Sequence, residues 1–193
     1  MILSQKLSIE TSFHDCIPSD IHHSYCHPNI SVAQSTFIQH QKALICNQFI
    51  CQNELLFYYK DDFTRTRTRT SIQIGKNIHL EAGNIGSNMN HSCEPNSYVR
   101  TYFNAKIKKG AVAVFAMRDI FQSEEITFDY GTTETDLTQE IQKTSCLCGN
   151  RKCRNKIHSF PELPVEIQLE YLKKNYLADH IVKEYLFKPL KSL

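Results

Sequence analysis

Residues 88–98 read NMNHSCEPNSY and contain an amide, an imidazole and a thiol in close succession, at Asn90, His91 and Cys93. Pro95 and Asn96 follow as a turn signal. Taken alone, Asn90 and His91 are typical turn formers, and a single histidine is more often structural than functional. Cys93, a thiol in the same polar turn, raises the question of which residue elsewhere in the chain it pairs with.

The length and composition describe a chain with one main folding unit. With 193 residues and 41% hydrophobic content, we expect one domain with a terminal addition. A net charge of +2, from 22 basic and 20 acidic residues, gives no bulk electrostatic reason to bind a membrane or nucleic acid. No membrane association is expected, and direct nucleic-acid binding through a local patch stays open.

The N-terminal stretch MILSQKLSIETSFHD is interrupted by polar and acidic residues, unlike a secretory signal peptide. The longest strongly apolar run, AVAVFAM at 111–117, is far shorter than the roughly 20 residues of a membrane-spanning helix. The sequence therefore predicts an intracellular protein, without distinguishing nucleus from cytoplasm. In a reducing compartment the eight cysteines are expected to be reduced or metal-bound, not paired in disulfides.

Short runs rich in β-branched and aromatic residues fill residues 29–130 and are separated by polar or turn residues. This pattern predicts many short strands and a mostly β core. The runs are ISVAQSTFI, KALIC, ELLFYY, TSIQIG, NIHL, SYVRTYF, AVAVFAM and ITFDY.

The pattern changes after Pro161, where apolar residues recur at helical intervals. We expect one helix there, opened by Pro164 and ended by Pro189. Its apolar stripe is expected to pack on the domain, with binding of a partner as the alternative. The stripe consists of Leu169, Leu172, Tyr176, Ile181, Val182 and Tyr185.

The segment RTRTRT at 65–70 alternates strictly between arginine and threonine. A strand with this sequence has arginine on one face and threonine on the other, and is typical of a solvated edge strand or hairpin. The alternative is a basic strip that contacts phosphate or an acidic partner.

Three cysteines near the C-terminus have the spacing C-x-C-x4-C, at Cys146, Cys148 and Cys153. Three thiolates on one tight loop can face a single point, which suits tetrahedral zinc. A closed zinc site needs a fourth ligand, and Cys93 is the best-placed candidate. Reduced structural thiols and a disulfide remain as alternatives. No role is predicted for Cys16, Cys26, Cys46 and Cys51, although a second metal site with Cys16, Cys26 and nearby histidines is a minor alternative.

Three segments carry a resemblance to a known family: GNIGSNMNHSCEPN (83–96), EEITFDYG (124–131) and CLCGNRKC (146–153). In order and spacing they resemble the two core motifs and the post-SET cysteine cluster of SET-domain protein lysine methyltransferases. The resemblance implies a mostly β SET-domain (β-clip) fold with a pseudoknot, a zinc-bound post-SET loop and a C-terminal helix. The implied divisions are an N-terminal segment (1–28), the SET core (29–135), the post-SET zinc-binding segment (136–158) and a C-terminal helical tail (159–193).

The same resemblance implies a cofactor and a metal. In the family, the cysteine of the Asn-His-Ser-Cys motif completes a structural zinc site with the post-SET cysteines, which here are Cys146, Cys148 and Cys153 beside Cys93. The Asn-His pair binds S-adenosylmethionine, a role that carries over to Asn90 and His91. Leu147 is similar to apolar residues that pack near the adenine of the cofactor.

Tyr130 matches the catalytic tyrosine of the family, and Phe128 matches a position that holds either phenylalanine or tyrosine. Phenylalanine there implies tolerance for di- or trimethylation. Without the resemblance, both side chains would be interpreted as ordinary core aromatics.

Three features depart from the family pattern. SET domains usually open with a Gly-x-Gly segment, and residues 1–82 contain none. Ser87 and Asn88 replace a frequent Arg-aromatic pair, and Thr70 stands where many relatives have a substrate-channel tyrosine. Two hypotheses follow: an S-adenosylmethionine-dependent protein-lysine N-methyltransferase acting on a protein or peptide, with histones as candidate substrates, or a catalytically inactive, SET-like, zinc-stabilised protein-binding module.

Overall fold

The computed structural model describes residues 24–137 and 145–186, and its architecture is mostly β. All eight predicted strand segments contain a strand. The strands are β1 (Ser24–Cys26), β2 (Ile30–Gln34), β3 (Lys42–Cys46), β4 (Leu55–Asp62), β5 (Ser71–Gly75), β6 (Ile78–Glu81), β7 (Asn90–His91), β8 (Ser97–Asn104), β9 (Lys109–Ala116) and β10 (Glu125–Phe128). The α-helices are α1 (Gly83–Gly86), α2 (Val165–Lys173) and α3 (Asp179–Leu186).

The larger sheet is antiparallel, with strand order β1-β4-β9-β8. Strand β9 lies between two neighbours and is buried on both faces. Val112 and Val114 pack into the main core, whereas Ala113 and Phe115 pack on the opposite face. This two-sided burial explains why residues 111–117 form an almost continuous apolar run in the sequence.

The second sheet has strand order β2-β3-β10-β7, and its last pair determines where the site forms. Strands β7 and β10 are parallel, with Asn90 opposite Thr127 and His91 opposite Phe128. The backbone N–H of Ser92 continues the pairing by donating to the carbonyl of Phe128 at 3.1 Å. Two segments nearly 40 positions apart in the sequence therefore lie side by side.

The predicted single tail helix is wrong in one respect, because the described tail contains two helices, α2 and α3. Asn175, in the connection, has a positive φ of 58°, which ends α2 in the left-handed region that asparagine tolerates. The connection is then anchored to the domain, where Ala178 N donates to Thr132 O at 2.9 Å. Pro189, the predicted end of the helix, lies outside the described residues.

The tail packs on the domain, largely through the predicted stripe. Ile181 and Val182 are buried in a cluster that also contains Phe160 and Tyr171, with Met117 packed against it. Leu169 is the exception, since it is 59% exposed. Leu169 lies outside the buried face of α2, which is formed around Tyr171.

The RTRTRT segment forms a loop, not the predicted strand. Side-chain contacts replace strand pairing here. Arg67 turns inward and pairs with the buried carboxylate of Glu134 at 3.4 Å. The hydroxyls of Thr68 and Thr70 both donate to the carboxylate of Glu81, so threonines and arginines point to separate partners without the regular alternation of a strand.

Within residues 24–137 and 145–186, no helix has the length and apolar composition needed to cross a membrane.

Candidate active site

Asn90 is buried, and both the oxygen and the nitrogen of its side-chain amide form hydrogen bonds. Its Oδ1 accepts a hydrogen bond from Gln41 Nε2 at 2.5 Å, and its Nδ2 donates to the backbone carbonyl of Lys42 at 3.1 Å. Both partners stand where β3 begins, so strand β7 is tied to the part of the chain that lacks the Gly-x-Gly of the family pattern. The sequence analysis did not select Gln41, because the Gly-x-Gly pattern of the family gives no reason to expect a functional glutamine there.

His91 connects Tyr130 to the cysteines. Its Nδ1 accepts the backbone N–H of Tyr130 at 3.3 Å, so in the neutral ring the proton lies on Nε2. Nε2 is 3.4 Å from Cys93 Sγ. Burial lowers the pKa of His91 to about 4, although the carboxylate of Asp129 opposes the shift. The imidazole is therefore neutral near pH 7 and can donate its Nε2–H to the sulfur.

Tyr130 lies at the centre of an aromatic group. Its ring centroid is 4.8 Å from that of Phe128 and 5.2 Å from that of His91, in edge-on contact with the imidazole. Its hydroxyl donates to the carbonyl of Met89 at 3.2 Å. Burial raises the pKa of Tyr130 to about 12, while the charge of Arg69 opposes the shift. The side chain is therefore a neutral phenol in a fixed orientation.

The four predicted zinc ligands come together in the fold. The sulfurs of Cys93, Cys146, Cys148 and Cys153 all lie within 4.8 Å of one another. Tetrahedral zinc with bonds of about 2.3 Å to sulfur places its ligands about 3.8 Å apart, and Cys93 and Cys146 Sγ are 3.7 Å apart. Backbone N–H groups of Arg154 and Asn155 donate to Cys93 and Cys153. The donor set and its spacing fit zinc.

Asp129 is a buried organising residue that the sequence motifs did not single out. Its carboxylate pairs with Arg154 Nη2 at 2.6 Å and accepts the hydroxyl of Tyr171 at 3.1 Å. Its other oxygen accepts the backbone N–H of Gly131 at 3.1 Å. One carboxylate thus joins the Tyr130 segment, the cysteine loop and helix α2. Its position between Phe128 and Tyr130 was visible in the sequence, but its partners lie far away along the chain.

Two cavities meet at Tyr130. The cysteine-side cavity, of about 470 Å³, is lined by residues that include Ile38, His91 and Leu147. The arginine-side cavity, of about 230 Å³, is lined by residues that include Phe128, Met89 and Thr70. The residues that line both cavities are Gln41, Arg69, Asn90 and Tyr130.

Further members of the two linings include positions where the sequence departs from the family pattern. Ser87 and Asn88, like Thr70, line the arginine-side cavity. Leu147 is 55% exposed at the wall of the cysteine-side cavity. A third, polar cavity of about 310 Å³ lies beyond Asn90 and His91, and Tyr130 is not among its lining residues.

The other cysteines in the described part of the chain stand apart from the cluster of four. Cys46 is buried in the main core, Cys26 is half-buried in β1, and Cys51 is exposed. Cys16, and with it the minor alternative of a second metal site, lies outside the described residues.

The family model of the SET domain matches residues 4–131, a range that includes Asn90, His91, Cys93 and Tyr130. This chain belongs to the SET domain family. The three cysteines of the 146–153 segment follow beyond the matched residues.

Relatives of this SET domain are named as histone-lysine methyltransferases. The H3 lysine-9 specific SUVH7 of Arabidopsis thaliana is 38% identical over 82 residues, covering 38% of this chain and 12% of that protein. Human SETDB2 is 29% identical over 139 residues, covering 67% of this chain and 19% of that protein. The probable histone-lysine N-methyltransferase set-23 of Caenorhabditis elegans is 42% identical over 74 residues, covering 37% and 28%. The chain spans less than a third of the length of these relatives.

Solved structures agree on the fold of this SET domain. The crystal structure of KRYPTONITE in complex with mCHG DNA and SAH aligns with a TM-score of 0.54 at 24% identity, covering 67% of this chain and 29% of that one. A second KRYPTONITE structure, with mCHH DNA, H3(1-15) peptide and SAH, aligns with the same TM-score of 0.54 at 23% identity, covering 69% and 30%. The predicted mostly β SET fold is confirmed.

Proposed function

We propose that this SET domain is a protein-lysine N-methyltransferase that uses S-adenosylmethionine. The observation that carries the proposal is the meeting of two cavities at Tyr130. A methyl transfer between two substrates needs a donor and an acceptor that approach one point from different sides, and two cavities that share Tyr130 in their linings suit that arrangement.

We assign the cofactor to the cysteine-side cavity. Its volume of about 470 Å³ lies in the range of about 300–1,000 Å³ found for small-molecule sites. Leu147 offers an apolar wall for an adenine ring, and Asn90 and His91 form the inner side next to Tyr130. When bound, S-adenosylmethionine supplies an electrophilic methyl group on a sulfonium sulfur.

We assign the target lysine to the arginine-side cavity, where Phe128 and Tyr130 form an aromatic wall. A lysine with an ordinary pKa of about 10.4 has to lose its proton before it can act as a nucleophile. An apolar wall disfavours the ammonium form and so assists that loss. Tyr130, held by its hydrogen bond to Met89 O, stays neutral and positions the amine.

Phe128 is proposed to set how many methyl groups the lysine can receive. It is buried and packs against Tyr130 at 4.8 Å. A tyrosine there would add a hydroxyl that holds a water and crowds the amine. The phenylalanine leaves that space free, which favours di- or trimethylation.

The zinc ion is proposed to be structural, held by Cys93, Cys146, Cys148 and Cys153. A site closed by four thiolates has no open position for water or substrate, so the ion stabilises the chain without activating a nucleophile. It joins the loop that carries Leu147 to the segment that carries His91, and thereby forms one wall of the cysteine-side cavity.

The substrate is proposed to be a lysine of a protein or peptide, with histones as candidates. The names of the relatives support this class, and one structural neighbour is a complex with an H3(1-15) peptide. The division into a SET core at 29–135, a post-SET segment at 136–158 and a tail from 159 is proposed on the same basis.

The first experiment is calorimetric titration of the zinc-loaded protein with S-adenosylmethionine, followed by methyl transfer to lysine peptides. Saturable one-to-one binding followed by transfer supports the enzyme. Absence of binding, in folded and zinc-loaded protein and with peptide present, would contradict it.

The second hypothesis, an inactive protein-binding module, is favoured by one observation. No Gly-x-Gly precedes β7 in residues 1–82, and the amide of Gln41 is already bonded to Asn90 at 2.5 Å. If the glutamine blocked cofactor entry, Gln41→Gly would restore binding that the unmodified protein lacks. Binding by the unmodified protein, weakened in Gln41→Gly, would instead favour the enzyme with Gln41 as a positioning residue.

A further inference from the structure

The loop of residues 65–70 is anchored at several points, and of its three arginines only Arg67 has a hydrogen-bonding or ion-pair partner among the described residues. Arg67 is engaged by Glu134 and by the carbonyl of Asp136. Thr68 and Thr70 are held by Glu81. The backbone N–H of Thr68 donates to Ser71 Oγ at 2.9 Å, which closes the turn that follows. A loop anchored at several points holds its remaining side chains in a restricted set of positions.

Arg69 is the residue of this loop that lines both cavities of the site. It is exposed, and it lines both cavities beside Tyr130. Its charge is close enough to act on the Tyr130 hydroxyl. Among the described residues it has no hydrogen-bonding or ion-pair partner. An exposed guanidinium at the junction of two cavities is available to a ligand.

Lys42 adds a second unbalanced charge. Its side chain is exposed and lines the arginine-side cavity, and no described acid pairs with it. The acid in that lining is Glu134, which is already paired with Arg67. Glu81, the other acid bound to the loop, is not one of the lining residues. The entrance to the cavity assigned to the lysine therefore carries an excess of positive charge.

A positively charged entrance is unfavourable for a target lysine that has further positive charges beside it. A peptide whose lysine is flanked by further lysines or arginines brings like charges together, which costs binding energy. A peptide with an anionic group beside the lysine removes that repulsion and gains charge-assisted hydrogen bonds to a guanidinium. Attraction of peptides with anionic flanks and repulsion of peptides with basic flanks both favour the anionic peptides.

We propose that Lys42 and Arg69 select a target lysine flanked by an anionic side chain, a carboxylate or a phosphate, on the substrate peptide. The inference rests on the proposed function, because it assigns the lysine to the arginine-side cavity. It assigns a role to the RTRTRT segment that the fold alone does not explain.

The test uses four peptides that differ only at the two positions next to one central lysine, which carry glutamate, phosphoserine, alanine or arginine. Binding to the zinc-loaded protein is measured by fluorescence anisotropy with S-adenosylhomocysteine present, and methyl transfer is measured separately. We expect the glutamate and phosphoserine peptides to bind about tenfold more tightly than the alanine peptide, and the arginine peptide to bind least. Comparison of glutamate with phosphoserine identifies which anion is preferred.

Three variants test whether Arg69 and Lys42 produce the preference for anionic flanks. Arg69→Ala and Lys42→Ala should each reduce the affinity ratio between the anionic peptides and the alanine peptide to about twofold. Arg69→Glu should reverse the preference in favour of the arginine peptide. Arg65→Ala is the matched control, because Arg65 is an exposed arginine of the same loop that lines neither cavity. The Arg65→Ala variant should prefer anionic flanks as strongly as the unmodified protein does. In the unmodified protein this preference should weaken as salt is added.

The inference is overturned if the unmodified protein binds all four peptides equally or prefers arginine flanks. It is also overturned if Arg69→Ala lowers only the affinity for S-adenosylmethionine and leaves the order of peptides unchanged. Failure of the proposed function looks different, because ordered peptide binding would then occur without methyl transfer.

Discussion

Tyr130 is the residue at which the proposed chemistry converges. It lines both cavities, its backbone N–H donates to His91 Nδ1, and its hydroxyl donates to Met89 O at 3.2 Å. The raised pKa, about 12, keeps it neutral, so in the proposed reaction it would act by position and hydrogen bonding and not as an anionic base.

Tyr130→Phe is expected to lower the methyl-transfer rate by about 100-fold or more, since a preorganised hydroxyl is lost at the reacting centre. Cofactor affinity should change little, because the hydroxyl bonds to Met89 O and not to Asn90. Single-turnover transfer and calorimetric titration separate the two quantities. An unchanged rate would remove Tyr130 from the catalytic site.

Phe128→Tyr tests the second aromatic residue of the site. The added hydroxyl enters the space beside Tyr130, so we expect the product to shift from di- or trimethyl-lysine towards monomethyl-lysine. Mass spectrometry of one peptide after extended reaction measures the distribution. The same product distribution in both proteins would show that Phe128 does not limit methylation.

At the scale of elements, the loop that carries Cys146, Cys148 and Cys153 and the helical tail are both attached to the parallel pair of β7 and β10. The cysteine cluster fastens the loop through Cys93. Asp129 fastens it a second time through Arg154, and fastens α2 through Tyr171. Because each buried carboxylate contact depends on the others, the loss of one affects several elements.

Cys93→Ser is expected to lower zinc content and to increase hydrogen exchange in residues 145–156, because three thiolates no longer close the site. Elemental analysis and hydrogen-exchange mass spectrometry measure the two effects. Cys51→Ser is the matched control, since Cys51 is exposed and outside the cluster. Full zinc retention in Cys93→Ser would require a different fourth ligand.

Tyr171→Phe should lower the free energy of unfolding by about 2 kcal/mol, because a hydrogen bond to a buried charge is lost. Zinc content should not change, since Arg154 still pairs with Asp129. Urea unfolding measures the effect. Tyr176→Phe serves as the control, because the Tyr176 hydroxyl has no hydrogen-bond partner among the described residues; equal losses in the two variants would argue against the role of Asp129.

At the scale of the whole molecule, the tail and the domain are joined by buried polar groups as well as apolar packing. Arg100 Nη2 pairs with Asp179 at 3.1 Å. His180, in α3, is buried near His79 of β6. Burial lowers the pKa of His180 to about 4, and the nearby charges of His79 and Lys183 act in the same direction.

This shift makes stability depend on pH. Between an unfolded pKa of about 6.5 and a folded value of about 4, the unfolded chain binds a proton that the folded protein does not, so stability is lost as the pH falls. In His180→Gln we expect the loss between pH 7 and pH 5 to be smaller by about 2 kcal/mol. Urea unfolding of both proteins at the two pH values measures it. The same loss in both proteins would show that His180 does not titrate in this way.

Much of the site could be predicted because its residues occur in short local motifs. Asn90, His91 and Cys93 are neighbours in the chain, and so are Phe128 and Tyr130, so their types and spacing already indicated a SET domain. The strands were predicted for a similar local reason, since β-branched and aromatic runs favour extended backbone. The family match to residues 4–131 confirms the family.

What the sequence determined by itself, then, is eight of the ten described strands, the family, and the residues proposed for zinc and catalysis. Tertiary structure decided the loop at 65–70, the break between α2 and α3, and the surroundings of Gln41, Asp129 and Arg69. The reason is that a local pattern reports the preference of one segment, whereas these features depend on contacts between distant segments. Glu134 draws Arg67 out of a strand pattern, and no property of RTRTRT alone indicates that Glu134 will be there.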